Sequence, residues 1–133
     1  MTPAAIAAIK DRASTFTDCP LYWPNETIVQ PSPPSPYVWC EIKMLGEPEI
    51  RSMGVPGSHW LRDNGFLRFY IVTPSGQGTD ATYSIGSNLA GLFRIANFGG
   101  LQTLAPSTPT DGIVDGDWYT AGMNCNFWFD YQG

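Results

Sequence analysis

The segment from Phe66 to Phe93 constrains the fold most. A β-run, Phe66-Leu67-Arg68-Phe69-Tyr70-Ile71-Val72, breaks at Thr73-Pro74-Ser75-Gly76-Gln77-Gly78-Thr79-Asp80 and passes directly into an amphipathic stretch. Leu67, Phe69 and Ile71 alternate, as a half-buried strand requires, while Ala81, Ile85, Leu89, Leu92 and Phe93 recur at helical spacing. Pro74 lacks the N–H that would extend a central ladder, and Gly76 and Gly78 permit a tight reversal. Thr79 or Asp80 can then cap the helix by accepting from its first free N–H groups. A strand is thus handed over to a helix that packs on the same sheet.

With 133 residues the chain has the size of one domain, 1–133, and its 43% hydrophobic content suffices for a core without staples. The net charge of −5 speaks against a nucleic-acid-binding domain, which is usually basic. Cys19, Cys40 and Cys125 are an odd set without a C-x-x-C pair, which fits neither a disulfide framework nor a zinc site. Cys40 and Cys125 fall on apolar strand faces, where a thiol acts as a small hydrophobe. Met1-Thr2-Pro3-Ala4-Ala5-Ile6 does not read as a signal peptide, and no apolar run approaches the roughly 20 residues that span a bilayer. Asn25-Glu26-Thr27 matches a glycosylation sequon, without consequence in a chain that is not secreted. The expectation is a reduced, intracellular, soluble protein with no membrane partner.

Residues 3–17 read as a helix capped by Thr2, with Pro3 at its first position. Ile6, Ile9, Ala13 and Phe16 form its buried stripe, and Lys10, Asp11 and Arg12 face water. Leu21 to Asn25 leaves as a short extended piece, and Pro31 to Pro36 is a polyproline-like connector. Tyr37 to Leu45 is a strand with Val38, Cys40, Ile42 and Met44 on one face and Tyr37, Trp39, Glu41 and Lys43 on the other. Gly46 to Gly65 has no clear period and reads as a hairpin arm at about 46–65, with Glu49-Ile50-Arg51 and Trp60-Leu61-Arg62 as its sides. At about seven residues a side it would protrude roughly 20 Å. After a second helix over 80–96, Asn97-Phe98-Gly99-Gly100 supplies a glycine cap. Leu101 to Ala105 is a short strand, and Pro106 to Asp117 a turn region. The last strand alternates Tyr119, Ala121, Met123, Cys125, Phe127 and Phe129 with polar neighbours. The predicted fold is α+β: a mainly antiparallel sheet of about four strands, two helices packed on one face and a long hairpin arm. Its core includes Ile6, Ile9, Phe16, Cys40, Ile42, Leu67, Phe69, Ile71, Ile85, Leu89, Met123, Cys125 and Phe127.

Catalytic and ligand patterns are sparse. His59 has no acidic neighbour closer than Asp63, so no orienting partner or nucleophile is apparent, and it reads as an exposed loop residue. Gly76-Gln77-Gly78-Thr79-Asp80-Ala81 fits the loose dinucleotide pattern between a strand and a helix, but no acidic residue follows about 20 positions on. It reads as a plain turn. Asp111, Asp115 and Asp117 lack the glycine and terminal Glu of a calcium loop and read as solvated turn residues. The Pro-rich segment could dock an SH3-like groove but reads as a stiff connector. No enzyme, no catalytic residue, no metal and no cofactor is expected.

The landmarks together are similar to a known family. A helix is followed by Leu21-Tyr22-Trp23-Pro24-Asn25, a Pro-rich loop and Pro36-Tyr37-Val38-Trp39-Cys40. Then come a strand ending in Thr73-Pro74-Ser75-Gly76-Gln77-Gly78-Thr79-Asp80, a helix, and a closing strand opened by Trp118-Tyr119. Over nearly its whole length the chain resembles the tail terminator (tail completion) proteins of long-tailed phages and phage-like particles. Trp23-Pro24-Asn25 and Gly76-Gln77-Gly78-Thr79 carry most of that likeness. The resemblance implies a virion structural protein without catalysis, located in the tail and neck region after assembly in the host cytoplasm. It implies a homo-oligomer, a hexameric ring at the head-proximal end of the tail tube. Such a ring stops tube polymerisation and joins the tail tube protein to the head-completion (stopper) protein, with DNA only passing through its lumen. The interface candidates are Tyr37, Trp39, Tyr70 and Trp128, which do not fit the core faces, and Arg51, His59, Trp60 and Arg62 in the arm. Two other classes compete: another neck or connector protein, such as a stopper or adaptor, and a small nucleotide-binding enzyme built on the Gly76–Ala81 turn.

Overall fold

The computed structural model describes residues 1–133, the side chain of Asp111 excepted. Its elements follow in the order α1 (Pro3–Ala13), β1 (Leu21–Tyr22), β2 (Tyr37–Met44), β3 (Glu49–Ser52), β4 (Trp60–Pro74), α2 (Asp80–Phe93), β5 (Asn97–Phe98), β6 (Leu101–Thr103), β7 (Thr110–Asp115) and β8 (Trp118–Gln132). All strands join one eight-stranded sheet, ordered β1-β2-β4-β8-β6-β5, with β3 beside β4 and β7 beside β8. The sheet is mixed, because β1 runs parallel to β2.

This corrects the expected sheet of about four antiparallel strands. The strands that sequence reading passed over, β1, β5 and β7, have only two to six residues, too few to display a clear period of two. β7 is further obscured by a register shift between Thr110 and Ile113, so the 106–117 turn region contains a strand.

β4 and β8 pair along their whole length, from Trp60↔Gln132 to Pro74↔Trp118. The other edge of β4 is therefore shared: β2 faces Gly65 to Val72, and β3 faces Trp60 to Arg62. The handover falls at Gly65, where a Cβ would stand 2.5 Å from the Lys43 carbonyl oxygen and 2.9 Å from Cζ of Phe127. Only glycine lets the two backbones approach this closely. The expected free hairpin at 46–65 is corrected accordingly. Glu49↔Arg62 and Ile50↔Leu61 do pair, but the second side is the start of β4 and is held on its other edge by β8. The first side is four residues long rather than about seven.

Alternation along β4 and β8 sends Leu67, Phe69, Ile71, Met123, Cys125 and Phe127 to one face, where they join Ile9, Phe16, Ile85, Leu89 and Phe93 of the helical layer in one buried cluster. Two expected core positions differ. Ile6 is 36% exposed and Ala5 takes its place, while Ile42 is only partly buried. Both helices are shorter than the expected 3–17 and 80–96. The Ser14 and Thr15 hydroxyls donate to the carbonyls of Asp11 and Arg12, a side-chain competition that ends α1. Thr2 does cap α1, accepting from the Ala5 N–H at 3.2 Å. Thr79 occupies the corresponding position of α2 without a side-chain cap bond.

α2 ends at Phe93, and Gly99-Gly100 is not its cap. Both glycines have positive φ, +56° and +83°, and join β5 to β6 in the tight turn that needs φ > 0 at both central residues. The helix end is satisfied from afar instead. Arg12, expected to face water, donates its Nε–H to the Leu92 carbonyl at 2.5 Å. The fully buried Thr103 donates to the Phe93 carbonyl and accepts from the Ala96 N–H at 2.8 Å. Thr103→Val keeps the shape but leaves both backbone groups unpaired, so it should lower unfolding stability by about 1–3 kcal/mol. A denaturant midpoint unchanged at constant slope would show that Thr103 is only a filler.

Candidate functional site: the uncovered sheet face

The opposite face of the sheet carries no helix. The registers place Tyr37, Trp39, Glu41 and Lys43 of β2 there, beside Arg62, Phe66, Arg68 and Tyr70 of β4 and Trp118, Asn124, Trp128 and Asp130 of β8. Most of these residues are half-buried. Trp39 stacks on Tyr70 with ring centroids 5.3 Å apart, and Tyr37 meets Trp118 edge-on at 5.4 Å. Arg62 forms a forked pair with Asp130, Nε to Oδ1 at 2.6 Å and Nη2 to Oδ2 at 2.8 Å. The same guanidinium lies 4.7 Å above the Trp128 ring. The hydrogen bonds from Arg62 hold the Asp130 carboxyl below the usual carboxylate range, and the bond to Asp130 raises Arg62 in turn. Such a planar fork fixes a surface geometry more than it adds stability.

The eight candidate residues separate into groups. Trp39, Tyr70, Arg62 and Trp128 share this face as two stacked units. Tyr37 is buried between Tyr22 and Trp118, which removes it from any free surface. Arg51 is exposed and pairs with Glu49 at 3.5 Å. His59 is half-buried, and its Nδ1 accepts from the Gly54 N–H at 3.1 Å. This bond closes the β3–β4 turn and corrects the exposed-loop reading. Trp60 is exposed on the same hairpin. Sequence reading missed Arg68, Asp130, Trp118 and Phe66 as members of the face. The alternation that identified Leu67, Phe69 and Ile71 as core assigns their neighbours to the other side, and was the available signal.

The hairpin adds a second feature. Ile50, Met53, Val55 and Trp60 are exposed, as is Leu45 at its base. Among the described residues β3 pairs only with β4, so its outer edge keeps unpaired backbone groups that can accept another strand.

Other groups do not assemble into a reactive centre. Burial pushes the Cys40 thiol up to about 12, and those of Cys19 and Cys125 to about 11, so all three stay protonated near neutral pH. Among the described residues no group of three His, Cys, Asp or Glu is placed to hold a metal. Of the acidic trio, the Asp111 side chain lies outside the described residues; Asp115 and Asp117 are exposed beside Gly116 in the β7–β8 turn. The Gly76–Ala81 turn is tied to that same turn by Ser75, whose N–H and hydroxyl donate to the carbonyls of Asp117 and Gly116 at 2.9 Å. Every neighbour of β4 is antiparallel, so the turn does not open a parallel βαβ unit of the dinucleotide-binding type. Among the described residues no helix is long and apolar enough to cross a membrane.

No family model matches the chain, and no curated protein does. Eleven solved chains match it, so its fold is not peculiar to it. One of them, 19% identical in sequence, covers 96% of this chain and 94% of its own with a TM-score of 0.71. Its name says nothing of function, and at this identity the likeness is one of fold alone.

The Asp130 carboxyl is lowered in the folded state, so the stability it contributes is present above its unfolded value of about 3.9 and is lost as pH falls through the folded value. Asp130→Asn should therefore be less stable than wild type at pH 7, by under about 1 kcal/mol for so exposed a pair. The difference should shrink as pH drops below about 4. Urea melts at both pH values check this; an equal difference at both would assign the effect to packing on Trp128.

Proposed function

We propose that this chain is a virion structural protein, a tail terminator of a long-tailed phage or phage-like particle. In this reading it forms a ring, six-fold by the family resemblance, at the head-proximal end of the tail tube. The ring stops tube polymerisation and receives the head-completion protein on its other side. The chain is placed in the tail and neck region of the virion after assembly in the host cytoplasm. One observation carries the reading: a long sheet face without a helical cover adjoins a hairpin whose apolar side chains and strand edge are open. Monomeric soluble proteins rarely leave such a surface unpartnered. A head-to-tail contact that closes on itself into a ring covers it in every copy. The resemblance of Leu21–Asn25 and Thr73–Asp80 to the family supports the same assignment. An acidic chain also suits a lumen through which DNA passes without being held.

The ring is tested on the purified chain by mass in solution and by negative-stain images, alone and with tail tube protein. A six-fold ring that caps tubes is expected; a monomer that leaves tube length unlimited overturns the proposal. The hairpin is tested separately by replacing residues 47–59 with a Gly-Ser linker of about five residues, long enough to rejoin the strand ends. The variant should keep the circular dichroism of the body yet fail in ring assembly or head joining. Infectious particles at the wild-type yield would remove the hairpin from the function.

A further inference from the structure

On the uncovered face, Arg68, Tyr70, Thr110, Ile113, Thr120 and Gly122 line an open groove of about 240 Å³. Arg68 lies across it. Its guanidinium sits 5.3 Å from the centre of the Tyr70 ring. A Cβ on Gly122 would stand 3.4 Å from its Nη2, so the bare glycine gives it a floor. Among the described residues its side-chain bond runs from Nη1 to Oδ1 of Asn124 at 3.3 Å, the long end of the range, and its buried Nε finds no acceptor.

The neighbouring charges do not relieve it. Arg62 is already paired with Asp130. Glu41, opposite Arg68 in β2, pairs with Lys43 at 2.9 Å. Among the described residues no carboxylate forms an ion pair with Arg68. A guanidinium offers five donors in a rigid fork that matches a carboxylate, and here most of them have no partner among the described residues. Thr110 and Thr120 add polar lining, and the exposed Ile113 adds an apolar one. The groove therefore fits a carboxylate carried on a short apolar stem, as on an Asp or Glu side chain.

We infer that the Arg68 groove receives an acidic side chain from the adjacent copy of this chain, an assignment that rests on the ring reading. Charge complementarity selects that occupant. Lys43, Arg51, Arg62 and Arg68 lie on this face or its hairpin, which leaves only Lys10, Arg12 and Arg94 as basic residues elsewhere. Of these four, Lys43, Arg51 and Arg62 already pair with Glu41, Glu49 and Asp130, while the remaining surface presents Asp11, Asp18, Glu26, Asp80, Asp115 and Asp117, all exposed. A like-with-like contact on a two-fold axis through the groove would oppose Arg68 to Arg68. Face against the acidic side of a neighbour pairs it, and that head-to-tail geometry is the one that generates rings.

The test compares the assembly constants of the full-length wild type, Arg68→Glu and Ile113→Asp by sedimentation, at about 0.05 and 0.5 M salt. Wild type should assemble and weaken with salt, and Arg68→Glu should assemble about 30-fold or more weakly. Ile113→Asp, on a side chain 70% exposed, keeps the fold and should also weaken assembly if Arg68→Glu proves unstable. Assembly by both groove variants with the wild-type constant overturns this inference and leaves the ring standing. A monomeric wild type overturns both. An open dimer dissolved by Arg68→Glu upholds the groove and removes the ring.

Discussion

The ladder between β4 and β8 decides both surfaces of this protein. Each strand has fifteen residues, and the pairing is in register from end to end. Side chains alternate across it, so one set of residues must meet the helices and the other must face away. A slip of one residue would exchange Leu67, Phe69, Met123 and Cys125 with Arg68, Tyr70, Asn124 and Asn126. That would bury two polar amides and a guanidinium and expose the core, so the register is strongly specified. The short strands follow from this pair. β2 and β3 share the outer edge of β4, β6 and β7 share that of β8, and β1 and β5 extend the sheet beyond β2 and β6.

The helical side is closed by side chains that reach across the sequence. Arg12 of α1 and Thr103 of β6 both supply donors to the last carbonyls of α2, while Arg12 also packs over the Phe98 ring at 4.8 Å. A helix end left without such partners inside a protein is costly. Placing them on α1 and β6 ties the N-terminal helix, the second helix and the sheet edge into one unit.

The long elements were legible in the sequence because periodicity is a property of length. Leu67-Phe69-Ile71 and Met123-Cys125-Phe127 announce their strands, and Ile85-Leu89-Phe93 announces its helix. What escaped was local or distant in a way that period does not record. Gly99-Gly100 suits a helix cap as well as a hairpin turn, and only the pairing of Phe98 with Leu101 decides between them. Arg12 looks like a solvated charge until the fold brings the Leu92 carbonyl to it. The candidate face was half-visible: Trp39, Tyr70 and Trp128 stood out as aromatics off the core, but Arg68 and Asp130 looked like ordinary surface charges. Their roles depend on which cross-strand neighbours are already engaged.

On the proposed ring reading, that engagement bears on how a subunit avoids aggregation before it assembles. An uncovered face made of bare apolar residues would aggregate before it found its proper partner. Here Trp39 is covered by Tyr70, and Trp128 by the Arg62–Asp130 fork, so most of the face satisfies itself in the free chain. Contacts built on such a face gain little each, because the groups already have partners to give up. A closed ring tolerates weak single contacts. Once a chain of subunits has formed, the final contact is intramolecular and is made at high effective concentration. On the proposed ring reading, a face that is nearly self-sufficient, with one guanidinium short of acceptors among the described residues, suits a subunit that is stable alone and commits only when a ring can close.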